Sequence, residues 1–147
     1  FGCNDGELTG AFEVDMTSIR DIDLEGDPLQ PQLIWHLKSA DFFFVEVFPR
    51  ASFTITSARQ VEGMPSSLPN FHVRGIFNLR GVKQEIEFPA TASAPQGGEL
   101  RVEAHFDIDR TRWGVLYGSS RFFEHLGYHL VYHAVSLQLR LVARLKM

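Results

Sequence analysis

The side chains in this sequence with the means to do chemistry gather near its C-terminal third. His125, His129 and His133 are spaced by four, an interval that on a helix sets imidazoles on one face for a metal. Gly127 interrupts any such helix, and the last two histidines fall in a segment that reads as a strand. There they share a side but stand about 13 Å apart, too far for bonds of about 2 Å to one ion. No metal site is expected, and His133 reads as a core or rim histidine bonded to a backbone group. Asp107 and Asp109 share a strand face and are placed to act together as acid and base. The plainer reading is ion pairing on the outer face of a sheet, with Arg101, Arg110 and Arg112 close in sequence. Arg110 near Trp113 also suits a cation–π lock. Six serines and threonines lie between Ser52 and Ser67, but no GxSxG, HExxH, GxGxxG or P-loop pattern accompanies them. A Ser-His-Asp arrangement stays open, with no local signature to support it.

The elements that position these groups are strands. Ala11 to Ile19 alternates, with Phe12, Val14 and Met16 on one face. Asp21 to Asp27 is an acidic loop. Leu29, Leu33 and Leu37 give partial helical spacing between Pro28 and Phe44, with Pro31 in a first turn and Ser39 capping a second short piece through Asp41-Phe42-Phe43. Strands follow over Ala51 to Val61 and Phe71 to Leu79. After an Arg80-Gly81 turn, a third carries Ile86, Phe88, Ala90 and Ala92 on one side. Leu100 to Ile108 pairs back. Ser119 or Ser120 caps a short helix near Arg121 to Leu126. A last strand from about Leu130 to Leu145 would reach roughly 50 Å, so a bend or bulge is expected in it. Six strands at short spacing make an all-β meander, closed or nearly so.

The chain has 147 residues, enough for one domain over 1–147 with a core that needs no staples. A net charge of -4 and the lack of a basic run argue against nucleic acid as a partner. The single cysteine, Cys3, excludes an intrachain disulfide. No apolar run reaches the roughly 18 residues of a membrane span. The chain starts at Phe1 without a signal-peptide pattern, which reads as a processed terminus or a fragment.

Thirteen phenylalanines are the other notable feature. Many sit on the apolar parity of their strands, which in a small barrel points inward. The parity nominates Phe12, Val14, Phe53, Ile55, Phe71, Phe77, Ile86, Phe88, Leu100, Phe106, Val135 and Leu137 as the lining of a lumen. Such an interior is either a filled core or a cavity for an apolar ligand.

Several segments in order then resemble one family. They are Leu37 to Phe43, Phe48 to Phe53, Gly75 to Lys83, Phe88-Pro89-Ala90, Ile108 to Gly114, Tyr117-Gly118, Phe122-Phe123 and the tail from Leu137 to Ala143. Together they are similar to the YceI-like family of bacterial lipid-binding proteins, from about Gly10 onward. The resemblance implies an extended antiparallel lipocalin-like β-barrel with short helical inserts. It implies an apolar tunnel holding a polyisoprenoid or quinone-type lipid, no other cofactor, no catalytic activity and a homodimer. Members are periplasmic, secreted or cytoplasmic. Three departures stand out. The family's first strands are missing before Ala11. Tyr128-His129 and His133-Ala134 replace acidic residues. Phe44 replaces a polar residue, which suggests a subunit contact. The leading expectation is a carrier that sequesters a long-chain isoprenoid or related amphiphile. The alternatives are an enzyme in the same cavity using His133 or Tyr132, and a structural or stress-response domain with a filled core.

Overall fold

A computed structural model describes residues 2–4, 7–23, 25–65, 67–93, 97–121 and 130–144. Seven strands form one antiparallel sheet in sequence order. They are β1 (Gly2–Asn4), β2 (Glu7–Asp15), β3 (Arg50–Gln60), β4 (Phe71–Leu79), β5 (Val82–Ser93), β6 (Glu99–Asp109) and β7 (Ala134–Arg144). One helix, α1 (Gln30–Lys38), lies between β2 and β3. The six expected strands are present, and the three-residue β1 is additional. The sheet curls around one apolar face. Among the described residues no ladder joins β7 to β1 or β2, so the curl is open along that side.

Strand ends follow from local chemistry. β2 stops at Asp15 rather than continuing to Ile19, because the Asp15 carboxylate accepts from the Thr17 N–H at 2.9 Å and starts a 3-10 turn over Met16–Ser18. The same Asp-x-Thr device ends β6. Asp109 accepts from Thr111 N–H at 3.0 Å and opens the turn Arg110–Trp113. Arg80 and Gly81 both take positive φ, 53° and 72°, which suits the tight β4–β5 hairpin. After α1, Ser39 donates to the His36 carbonyl and accepts from the Asp41 N–H. The second helical piece expected there is a run of turns instead.

β3 carries a register shift between Ile55 and Ser57. The extra residue, Thr56, moves the inward parity from Ala51, Phe53 and Ile55 to Ala58. β7 has no bulge. It pairs residue by residue with β6 from Ala134↔Asp109 to Arg144↔Glu99. It is also shorter than expected. The Val131, Tyr132 and His133 carbonyls are claimed by Arg110, so that segment leaves the ladder.

The β5–β6 ladder is the short one. It covers Ala90 to Ser93 against Arg101 to Ala104 and stops at Pro89. Ala90 and Ala92 bond toward β4, through Asn70, so the intervening odd positions face β6. Pro89 brings no N–H to that side, and pairing ends there. Beyond it β5 and β6 splay apart. The Arg110–Trp113 turn spans the gap: Arg112 donates to the Glu85 carbonyl at 3.0 Å, and Gln84 donates to the Arg112 carbonyl at 3.0 Å.

The core runs along the inner face and includes Phe53, Val73, Leu79, Ile86, Phe88, Ile108 and Trp113. Outside lie exposed ion pairs such as Arg74–Glu87 at 3.2 Å and Arg144–Glu99 at 3.5 Å, which contribute little stability. Gly75 is where close packing leaves least room. A Cβ there would stand 2.4 Å from the Thr54 carbonyl oxygen and 2.5 Å from Phe53 Cζ. Gly75→Ala is expected to lower stability by about 1–3 kcal/mol, read as an earlier midpoint in urea denaturation with an unchanged slope.

Candidate functional site

The inner face of the curled sheet holds an apolar trough with two compartments. The wider is about 300 Å³ and lies in the splayed half. Phe12, Val14 and Met16 from β2 and its turn, Phe77 and Leu79 from β4, and Ile86 and Phe88 from β5 line it. Phe106, Ile108, Val135 and Leu137 face them from β6 and β7. The narrower compartment is about 50 Å³ and lies where β5 and β6 are paired. It is walled by Ile55, Phe71, Val73 and Leu100 and by small residues, Ala58, Ala90, Ala92 and Ala143. Phe12, Phe53, Phe88 and Leu139 border both. Among the described lining residues only Arg110 and Gln138 carry polar side chains, both in the wider part, and Gln138 takes an exposed position on β7. The central strands bury their inward residues, while those of β7 stay half-buried and Val14 on β2 is exposed. The trough is open on the side between these strands.

Arg110 closes one end. It is 2% exposed, and its guanidinium donates to three carbonyls: Val115 at 2.8 Å, Tyr132 at 2.9 Å and Val131 at 3.1 Å. Its own N–H donates to the His133 carbonyl at 3.0 Å. The Phe42 ring lies 5.9 Å from the guanidinium carbon. Burial lowers the Arg110 pKa, and the nearby Asp109 charge opposes that shift. Trp113, fully buried, donates its indole N–H to the Phe77 carbonyl at 2.9 Å. Four strand ends and the following segment are thus tied together by one turn.

Burial works against the Asp109 charge, but it is outweighed. The Thr111 hydroxyl, Arg121, the Thr111 N–H and the charge of Arg121 together hold its pKa at about 2, below the ordinary 3.8. Asp109 is a structural cap with its hydrogen-bonding capacity engaged. Asp107 accepts from Ser136 on the neighbouring strand. The two carboxylates are therefore occupied separately and do not form an acid–base pair.

All twelve parity-nominated side chains border one of the two compartments. Parity missed some neighbours. Met16, Leu139 and Leu141 continue the alternation already visible in their strands. Ala58 was hidden by the bulge at Thr56. Phe43 carries no strand signal, and reaches the trough from the turns after α1, where its N–H donates to the Leu37 carbonyl. Arg110 read as an ion-pairing or Trp-stacking residue. The arginine over Trp113 is in fact Arg112, at 5.2 Å, because Arg110 is drawn inward by the three carbonyls. His133 bonds the fully buried Ser119 hydroxyl at 2.8 Å rather than a backbone group. Tyr132 is 84% exposed, and neither it nor His133 lines the trough. Phe44 is half-buried, its ring 6.1 Å from that of Phe48. His125, His129, Phe122-Phe123 and the helix expected near Arg121 to Leu126 lie outside the described residues, apart from Arg121 itself. Among the described residues no group of three His, Cys, Asp or Glu could hold a metal. No described helix is long and apolar enough to cross a membrane.

The YceI-like domain matches residues 3–143. No curated protein is detectably similar to the chain. Among solved structures, a Campylobacter jejuni YceI protein that crystallizes with large solvent channels is similar in fold, with a TM-score of 0.70 at 14% identity over 95% of this chain and 74% of that one. BcnA of Burkholderia cenocepacia is similar with a TM-score of 0.69 at 19% identity, over 92% of this chain and 74% of that one.

Two variants separate the parts of the corner. Asp109→Asn should lose stability at pH 7. Its folded pKa lies below the unfolded one, so this contribution is present above about pH 4 and fades as pH falls toward 2. The wild-type and Asp109→Asn stabilities, followed by urea denaturation from pH 7 to 2, should converge across that window. Arg110→Lys offers one ammonium to three carbonyls and should cost about 2–4 kcal/mol in the same assay.

Proposed function

The chain belongs to the YceI-like family, and from that membership we propose that it binds a long-chain isoprenoid or related amphiphile, such as a polyprenyl lipid or isoprenoid quinone, and sequesters or carries it. The observation that supports this reading is the trough itself: a cavity of about 300 Å³ on the inner face, walled by strands β2 to β7 and apolar but for Arg110 and Gln138. Empty apolar volume is unfavourable in a core, since its lining lacks contact partners. A hydrocarbon tail supplies them, at about 0.8 kcal/mol per buried CH₂ and without any hydrogen bond of its own.

Binding is favoured over catalysis by the polar groups themselves. Asp109 and Arg110 are engaged in holding the corner, and Tyr132 faces solvent. A homodimer, implied by the family likeness, belongs to the same proposal, and sedimentation velocity measures it. The carrier reading is tested by native mass spectrometry of the chain purified from bacteria without detergent. The expected spectrum contains an adduct of lipid mass that organic extraction removes and that reappears in the extract. A bare polypeptide mass with a lipid-free extract would count against a carrier and favour a filled-core structural domain.

A further inference from the structure

The two compartments of the trough meet at a waist of Phe12, Phe53, Phe88 and Leu139, and its three phenylalanines differ in freedom. Phe53 is 3% exposed and sits over Gly75, whose missing side chain makes its room. Phe88 is 4% exposed and stacks face to face on Phe106, with centroids 4.2 Å apart and planes within 6°. Phe12 is only half-buried. It leans on Phe53 at 5.6 Å with a 41° tilt. Of the three rings Phe12 is thus the least enclosed.

Size makes the waist consequential. An apolar cavity of 150 Å³ accepts a benzene ring, so the wider compartment, about 300 Å³, encloses roughly a dozen carbon atoms. The narrower one, about 50 Å³, holds nothing of that kind until its mouth widens. A longer tail must move a side chain of the waist, and Phe12 is the ring whose displacement breaks neither the Gly75 seat nor the Phe88–Phe106 stack.

We propose that Phe12 is the gate between the compartments and the residue that sets how much of an apolar tail the protein encloses. This rests on the lipid-binding reading above and deepens it by assigning the length limit to one side chain. The test is displacement of a fluorescent apolar dye from the 147-residue chain by saturated carboxylates of increasing length, from about eight to about eighteen carbons. In the wild type, affinity should rise roughly threefold to fourfold per methylene and flatten near a dozen carbons. In Phe12→Ala the rise should continue through the longest chains. Phe12→Leu keeps apolar volume without the ring, guards against misfolding, and should place the break at an intermediate length. Thermal melts of each variant establish that it is folded. A wild-type series with no break, or a break at the same length in folded Phe12→Ala and Phe12→Leu, overturns the gate while leaving lipid binding intact. No displacement at any length overturns the lipid-binding reading and the gate with it.

Discussion

The structure depends on a ladder that is made to stop. Pro89 presents no donor toward β6, so β5 and β6 pair over four positions and then diverge. The wide compartment lies on the inner face of the half where this pairing has ended. The Arg110–Trp113 turn bridges that half: Arg112 takes up the Glu85 carbonyl, and Trp113 fills the interior while bonding Phe77.

Arg110 shows why the corner is built from a cation and not from apolar residues. Carbonyls of Val115, Val131 and Tyr132 converge where the chain leaves β6, outside the described strands. A guanidinium fans out several N–H donors in a plane, so one side chain satisfies all three. Desolvating the charge is unfavourable. The converging carbonyl dipoles, the Phe42 face and the Asp109 carboxylate close in sequence offset it. Asp109 in turn is kept ionised by Thr111 and Arg121. Each charge thus has its own set of partners, Thr111 and Arg121 for Asp109 and the three carbonyls for Arg110.

How much of this was legible in the sequence follows the range of the signal. Alternation is local, so strands β2 to β7 and the inward residues of the trough could be read directly. Phe12, Phe77 and Phe106 lie where parity puts them. A bulge changes parity at one residue without changing composition, and Thr56 looks like any strand threonine, so Ala58 was missed. Pro89 was visible as a residue but not as the end of a ladder, because that depends on which neighbour its missing donor would have faced. Arg110 was misassigned for a similar reason. Its nearest sequence partner is Trp113, yet the carbonyls its guanidinium bonds lie up to 22 positions away. Phe43 came from outside any strand, and only the return of the chain after α1 brings it in.

The distribution of burial around the trough carries the last step. Phe53 and Phe88 at its floor are almost wholly enclosed, whereas Val135, Leu137, Leu139 and Leu141 along β7 are only half-buried. Rigid floor and open rim have different consequences for a ligand. The floor fixes shape, since its rings are seated against Gly75 and Phe106 and cannot relax without strain. The rim offers apolar area that is still partly in water, so a tail laid across it gains the burial that the isolated chain leaves unrealised. Recognition by area alone is insensitive to head-group chemistry. Selectivity in such a site must therefore come from geometry, and the waist between the compartments is where the wall changes most abruptly.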